Sequence, residues 1–169
     1  MTVDPATLSI VSYPAPVLRV KAEPVEAVDD EIRGVIRRMI DLMDEAEGVG
    51  LAAPQVGLSW RLFVSRLPEE GAAATAFINP ELELHPGDLV SHEEGCLSLP
   101  GITAQVRRPD AVTIKALGLD GKPIERVAAG FEARVWQHEY DHLDGILIID
   151  RMSPMDRIAN RRPLKALEG

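Results

Sequence analysis

Two histidines four residues apart enclose a glutamate in the segment His138-Glu139-Tyr140-Asp141-His142. On a helix, residues four apart lie one turn above each other, so both imidazoles point to one side and can share a metal ion. Glu139 would lie beside that ion, where its carboxylate could take a proton from an activated water. The plain alternative is a surface helix with this spacing by accident. Apolar neighbours favour a buried helix instead, in which imidazoles need partners such as a metal: Val135, Trp136, Leu143 and Ile146.

A catalytic metal needs a third protein ligand, and the candidate is Cys96, the only cysteine of the chain. It lies in a short apolar segment between Gly95 and Pro100, which can present its backbone closely to a ligand. A buried structural cysteine is the alternative interpretation. Beside a histidine pair that lacks a ligand, we interpret Cys96 as the third one. A Cys-His-His set leaves the fourth position open for water.

A peptidase that uses the same helix pattern would take its third ligand from the chain after His142. The position at which the extended protease pattern has a third histidine is Ile148. The carboxylates that could replace it stand in weak contexts: Asp150, Asp156 and Glu168. The sequence therefore disfavours a metallopeptidase, which remains the alternative enzyme class.

Residues 48–55 are rich in glycine and alanine and match a dinucleotide-binding fingerprint. That fingerprint requires a strand before it and a helix opening within it. An amphipathic helix precedes it here, and Pro54 disrupts the first turns of any following helix. We reject the nucleotide interpretation. A loop of small residues can instead bring its backbone next to a ligand, and Gln55 could donate from a neutral amide to an oxyanion. A surface loop with an inactive glutamine is the alternative.

Two helices would position these residues. Asp29 or Asp30 can cap a first, amphipathic helix that ends near Gly48. A second helix is predicted to begin after Gly130 and to run to about Leu143, with Gly145 as its C-terminal stop. The apolar positions of the first helix recur at helical spacing: Ile32, Val35, Ile36, Met39, Ile40 and Met43.

Short strands are predicted between residues 60 and 127, because segments 62–64, 76–78 and 112–117 carry β-favouring residues. Asp120-Gly121 predicts a hairpin turn, and residues 146–149 are expected to form a buried strand. Prolines exclude a long helix from residues 1–28. The predicted fold class is α+β: mixed or antiparallel short strands packed around a central metal-binding helix, with an N-terminal amphipathic helix. We expect a single domain over residues 1–169, with a short basic tail from about residue 151.

Composition excludes several function classes. The 169 residues carry a net charge of −9, which argues against a general nucleic-acid binder. No apolar run approaches the roughly 20 residues of a membrane span. The first ten residues contain Asp4 and no lysine or arginine, unlike a secretory signal or transit peptide. We therefore expect a cytoplasmic protein that binds neither membrane nor free DNA.

Three segments together are similar to the three signatures of the peptide deformylase family. They are residues 48–55, which end in Gln55, residues 94–98 and residues 137–145. Their order and approximate spacing fit the family, and residues 13–19 and 78–80 resemble it too. The resemblance covers nearly the whole chain. It implies a metal-dependent hydrolase that removes the formyl group from the N-terminal methionine of nascent polypeptides and releases formate.

The resemblance also implies roles for individual residues. Cys96, His138 and His142 would hold the metal, and Glu139 would be the general acid and base. Gln55 and the backbone N–H of Leu97 would receive the oxyanion. The pocket for the methionine side chain would include Val49, Gly50 and Phe131. The family uses Fe²⁺ in cells and often accepts Zn²⁺, Ni²⁺ or Co²⁺.

A non-enzymatic module, such as a ribosome-associated factor with a structural metal site, is a third hypothesis. Glu139 and Gln55 count against it, because neither is needed to hold a metal. The tail has five basic residues and one acidic residue between Arg151 and Lys165, which is compatible with weak ribosome docking. A solvated tail that folds back on the acidic body is the alternative. Pro163 is expected to interrupt the C-terminal helix that many bacterial relatives carry.

Overall fold

Antiparallel strands and five helices make up the architecture in the computed structural model, which describes residues 2–169. The helices are α1 (Asp30–Glu45), α2 (Gly130–Leu143), α3 (Ile148–Arg151), α4 (Pro154–Ala159) and α5 (Arg161–Leu167). The strands are β1 (Gly50–Ala52), β2 (Leu62–Ser65), β3 (Thr75–Leu84), β4 (Leu89–Gly95), β5 (Thr103–Pro109), β6 (Ala111–Leu117) and β7 (Pro123–Ala129). Short 3-10 turns cover Pro5–Thr7, Pro16–Arg19 and Ala53–Val56.

The strands form two antiparallel sheets. Five of them pair in the order β1-β2-β3-β6-β7, and β4 pairs with β5 in a separate hairpin. Asp120 and Gly121 lie in the turn between β6 and β7, where Gly121 has a φ of 79°. The predicted hairpin and the α+β class are therefore confirmed.

Helix α1 buries one face because its apolar residues recur every three or four positions. Asp29 caps the helix, and its carboxylate accepts a hydrogen bond of 3.0 Å from the N–H of Ile32. The helix ends at Glu45, a little before the expected Gly48. Its buried face packs on β1 and β2: Ile32, Val35, Ile36, Met39, Leu42 and Met43.

Helix α2 contacts strands of both sheets. Trp136 is 1% exposed and packs edge-on against Phe77, which in turn contacts Phe63 across β2 and β3. Gly145 follows the helix with a φ of 73°, and a Cβ there would lie 2.7 Å from the carbonyl oxygen of Arg19. Only glycine fits this position, so the helix stops where the sequence predicts.

One prediction about the C-terminal region is wrong. Residues 146–149 do not form a strand, since Ile148 begins helix α3, and Ile148 and Ile149 are buried there as helical residues. A four-residue apolar run fits a buried strand or a buried helix equally well. The C-terminal helix is interrupted, as Pro163 predicts. It divides at Asn160 into α4 and α5, and Pro163 lies within the first turn of α5, where its missing N–H is tolerated.

No helix in the part of the chain that the structure describes is both long enough and apolar enough to cross a membrane.

Candidate metal centre and active site

One sulfur atom and two imidazole nitrogens converge at the centre of the molecule. Cys96 lies directly after β4, and His138 and His142 lie one turn apart on α2. The Sγ of Cys96 is 3.5 Å from Nε2 of His142, and the two Nε2 atoms are 3.3 Å apart. A shared ion is the simplest reason for three such ligand atoms to face one another.

These separations fit a metal ion. Tetrahedral coordination with metal–nitrogen bonds of about 2.0–2.1 Å and a metal–sulfur bond of about 2.3 Å places two nitrogens about 3.3 Å apart. The same geometry places sulfur and nitrogen about 3.6 Å apart. Both observed distances agree with it. Burial also lowers the pKa of His142 well below its ordinary value, so its imidazole is neutral and keeps a lone pair for a metal.

Glu94 orients the imidazole of His138 through Nδ1, the ring nitrogen that does not face Cys96 and His142. Its Oε1 lies 2.9 Å from Nδ1 of His138. Burial opposes ionisation of Glu94, but hydrogen bonds from Arg108 and His138 outweigh it and hold its pKa far below the ordinary value. The group is therefore a carboxylate and an acceptor, so Nδ1 carries the proton. Nε2 of His138 faces Cys96 and His142. Burial alone would lower the pKa of His138, but hydrogen bonds with Cys96 and Glu94 raise it well above its ordinary value, so a metal would bind Nε2 by displacing its proton.

A buried ionic network supports Glu94. Arg108 on β5 donates to both oxygens of Glu94, over 2.6 and 2.9 Å, and to Asp141 on α2 over 2.9 Å. Arg134 on α2 donates to Glu94 over 2.6 Å. Asp141 also accepts two hydrogen bonds from Arg151. Each buried charge is thus paired, as burial of ionised groups requires.

Glu139 points into the same site without a hydrogen-bond partner on one oxygen. The residue is 4% exposed, and its buried Oε1 is unpartnered among the described residues. Burial raises its pKa from 4.5 to about 7. A carboxyl group with this pKa can both accept and return a proton near neutral pH.

Gln55 is held beside the cysteine. Its Oε1 accepts a 2.9 Å hydrogen bond from the N–H of Ala52, so the amide NH₂ faces the site. Nε2 lies 3.2 Å from Oγ of Ser98 and 3.6 Å from Sγ of Cys96. The amide is therefore a fixed neutral donor, 1% exposed, next to the candidate ligands.

An open cavity of about 430 Å³ leads to these groups. Val49, Gly50 and Phe131, expected to contact substrate, all line it, as do Leu97 and Glu139. The strand side of the wall is tightly packed: a Cβ at Gly50 would lie 2.5 Å from Oε2 of Glu139, and one at Gly48 would lie 2.9 Å from Cδ1 of Leu97.

The remaining candidates lie elsewhere. His92 and Glu93 are exposed, and Glu93 lines the cavity without contacting the Cys-His-His cluster. His85 is partly buried against Thr113, with its Nε2 2.7 Å from Oγ1 of Thr113. The carboxylates considered as peptidase ligands have other partners: Asp150 pairs with Arg19, Asp156 accepts from the N–H of Gln105, and Glu168 accepts from Tyr13.

Sequence reasoning missed Arg108 and Arg134, because charged residues are usually solvated and nothing local marks these two as buried. One signal was present for Arg134. It precedes His138 by four residues, and His138 precedes His142 by four, so all three side chains share one face of α2.

The fold and site together define a class: an α+β protein with a Cys-His-His cluster that could hold a metal and an adjacent buried carboxylate. The sequence model of the polypeptide deformylase family matches residues 7–158. The chain therefore belongs to this family of enzymes, which remove the formyl group from nascent polypeptides and use a divalent metal.

Individual relatives agree over nearly the full length. The peptide deformylase of Pseudomonas aeruginosa is 46% identical over 160 residues, which cover 95% of each chain. That of Thermotoga petrophila is 47% identical over 150 residues, 88% of this chain and 89% of the relative. A solved peptide deformylase from Legionella pneumophila superimposes with a TM-score of 0.87 at 41% identity, covering 95% of this chain and 94% of the other. A plant peptide deformylase gives a TM-score of 0.92 at 38% identity, with coverage of 99% and 92%.

Proposed function

We propose that this enzyme removes the formyl group from N-terminal formylmethionine with a metal held by Cys96, His138 and His142, and with Glu139 as general acid and base. The observation that carries the proposal is the convergence of the three ligand atoms at tetrahedral spacing beside an unpartnered carboxylate. We further propose that residues 1–169 act as one catalytic unit, since ligands come from β4 and α2 and Gln55 from the turn after β1.

A divalent metal bound there would supply Lewis acidity and make hydroxide available near neutral pH. Glu139 takes a proton from the attacking water and delivers it to the departing amine nitrogen, for which a pKa near 7 is suited. Glu94 holds the imidazole of His138 through Nδ1, which leaves Nε2 to face the metal. The products are formate and a free N-terminal methionine.

The formyl oxygen gains negative charge as water attacks. We propose that the Nε2 amide of Gln55 and the backbone N–H of Leu97 donate to this oxygen. Stabilising developing charge more than the starting carbonyl is what accelerates the reaction. Because Gln55 is already fixed by Ala52, its donor needs little reorganisation when charge develops.

Substrate would enter through the open cavity. Val49, Gly50 and Phe131 would contact the methionine side chain. The peptide would continue along the outer edge of β1, since β1 pairs only with β2 in the sheet. We propose that the site is narrow enough to admit a hydrogen on the reacting carbonyl carbon but not a further residue, which would separate deformylation from proteolysis.

Formate release from a formyl-Met peptide tests the proposal, measured anaerobically with Fe²⁺ or Ni²⁺ beside an unformylated peptide. We expect formate from the first peptide and no cleavage of the second. Glu139→Gln is the matched control, since it keeps the size of the side chain and the metal ligands but loses the proton shuttle. A metal-loaded Glu139→Gln protein with substantial turnover would sink the assignment of Glu139.

Metal identity and cellular setting are proposals as well. Thiolate and imidazole suit zinc and iron alike, so the ligands alone do not select the ion. On the family resemblance we propose Fe²⁺ in cells, with Zn²⁺, Ni²⁺ or Co²⁺ able to replace it in purified protein. We propose a cytoplasmic location, where nascent chains carry the formyl group. Metal analysis of protein purified without oxygen checks the first point.

Ribosome docking through the tail is a further proposed partnership. Met155 and Ile158 on α4 are 81% and 73% exposed, and basic residues flank them. Leu164 and Leu167 on α5 pack against a buried apolar cluster, which holds the tail on the body. The exposed basic side is therefore presented from a fixed position, as attraction to ribosomal RNA would require.

A further inference from the structure

We propose that Arg134 is a positioning residue that fixes the distance between the two elements carrying the metal ligands. This inference rests on the proposed metal centre. Cys96 follows β4 of the β4–β5 hairpin, whereas His138 and His142 belong to α2. A Cys-His-His site forms only if hairpin and helix keep a set separation, because metal–ligand distances tolerate little change.

The contacts of Arg134 span that separation. From α2, its Nη1 donates to Oε2 of Glu94 over 2.6 Å and to the carbonyl oxygen of Val106 over 3.0 Å. Its Nη2 donates to the carbonyl oxygen of Val90 over 2.7 Å. One guanidinium therefore binds β4 at two points and β5 at a third.

The residues that make these contacts lie close in sequence to the proposed metal ligands. Arg134 lies one helical turn before His138, and Glu94 lies two residues before Cys96. Glu94 itself contacts Nδ1 of His138. The same arginine thus connects the start of the histidine face of α2 to the strand that ends at the cysteine.

Arg108 and Arg134 have different tasks in this network. Arg108 reaches from the hairpin to Asp141 and holds Glu94 through two hydrogen bonds. Glu94 would therefore keep a charged partner without Arg134. The carbonyl oxygens of Val90 and Val106 would lose the donor that Arg134 provides. The planar guanidinium group is what allows one side chain to donate to three acceptors. A lysine could replace the charge but offers one nitrogen in place of the fork.

Cobalt binding to purified protein tests this proposal without relying on turnover. Co²⁺ affinity is measured by competition with a chelator, and the visible absorption of the Co²⁺ protein reports the coordination geometry. We expect Arg134→Met to bind Co²⁺ roughly 10–100-fold more weakly, with an altered spectrum, as for other losses behind a metal ligand. Arg134→Lys should fall between Arg134→Met and the unchanged protein.

Arg61→Met is the matched control. Arg61 is also a largely buried arginine that holds the end of α2, through Asp144 and the carbonyl oxygen of Leu143, but it contacts no ligand-bearing strand. We expect it to lower the free energy of unfolding while leaving Co²⁺ affinity and spectrum unchanged. If the Met variant at position 134 does not fold, the Lys variant carries the test.

The outcomes separate this inference from the proposed function. Unchanged Co²⁺ affinity and spectrum in folded Arg134 variants would overturn the positioning role and leave the deformylase assignment standing. An unchanged protein that binds Co²⁺ but releases no formate from a formyl-Met peptide would overturn the function, while the loss of affinity on changing Arg134 would still support the positioning role.

Discussion

At the scale of single residues, Glu139 carries a charge that its surroundings disfavour. In the metal-free protein its pKa is about 7, against 4.5 in an unfolded chain. As the pH rises between these values, the unfolded state loses the proton first, so folding becomes less favourable. The stability associated with protonated Glu139 is present below about 4.5 and is lost as the pH rises through about 7.

Glu139→Gln should remove this pH dependence. A shift of one pKa unit corresponds to about 1.4 kcal/mol. From acidic to alkaline pH, the free energy of unfolding of the variant should therefore rise by roughly 3 kcal/mol relative to that of the unchanged protein. Urea unfolding of both metal-free proteins at about pH 5 and about pH 8 measures the difference. Parallel changes in the two proteins would show that Glu139 titrates normally.

Gln55 offers a second test at this scale. If its amide serves the oxyanion, Gln55→Ala should lower the catalytic rate by roughly 10²–10³-fold. Metal content should stay unchanged, since Gln55 is a neighbour of Cys96 and not part of the Cys-His-His set. Ser98→Ala, which removes the hydroxyl near the amide but keeps the amide, is the control. A normal catalytic rate in Gln55→Ala would show that Gln55 does not stabilise the oxyanion and has only a structural role.

At the scale of elements, the sequence predicted those helices and turns that depend on residues close together in the chain. Helix α1 and the β6–β7 turn follow from apolar periodicity and from Asp120-Gly121, which act through neighbouring residues. The β4–β5 hairpin was missed because its strands interleave exposed polar residues with buried Glu94 and Arg108. Only tertiary partners make such residues compatible with a core, and no local pattern reports those partners.

The same distinction applies to the candidate site. Cys96, His138 and His142 could be proposed from chemistry and spacing, and the structure brings the three together. The residues that orient them could not, since Arg108 lies twelve positions from Cys96 and thirty from His138 along the chain. Their roles depend on a hairpin packed against a helix. Motifs show which groups react, whereas the supporting network is a property of the fold.

The C-terminal helices carry a prediction about the ribosome. If the tail docks on the ribosome, replacing Arg161, Arg162 and Lys165 with glutamine should reduce ribosome binding and its salt sensitivity, because these exposed residues would supply the attraction to phosphates. Activity on short formyl peptides should be preserved, since Leu164 and Leu167 still anchor α5. Co-sedimentation at low and moderate salt is the measurement. Equal pelleting of both proteins would refute docking through the tail.

At the scale of the whole molecule, charge should influence which peptides react fastest. The net charge is −9, and Glu47 and Glu93 line the cavity as exposed carboxylates without an ion pair among the described residues. The cavity's one arginine, Arg134, is already bound to Glu94. The cavity entrance is therefore negative, and the charge of the whole chain adds to it.

Formyl-Met peptides with lysine after methionine should have a higher kcat/KM than the same peptides with glutamate. We expect a ratio of roughly 10-fold at low salt that shrinks at high salt, because exposed charge pairs are weak and screened. Glu47→Gln and Glu93→Gln should each reduce the ratio. Glu70→Gln, an exposed carboxylate away from the cavity, should not. If the ratio of the two kcat/KM values changes neither with salt nor with these substitutions, electrostatic selection of peptides is excluded.

The close approach of Gly50 to Glu139 limits how the enzyme could be redesigned or become resistant to an inhibitor. A side chain at position 50 would collide with the carboxylate of Glu139, for which we propose the proton transfer. A variant that narrows the cavity there should therefore lose activity along with inhibitor binding. The opposite wall has no such constraint, because Phe131 is 46% exposed and belongs to α2. Changes in side-chain preference, by selection in the laboratory or under drug pressure, should therefore accumulate at Phe131, on the helix wall of the cavity.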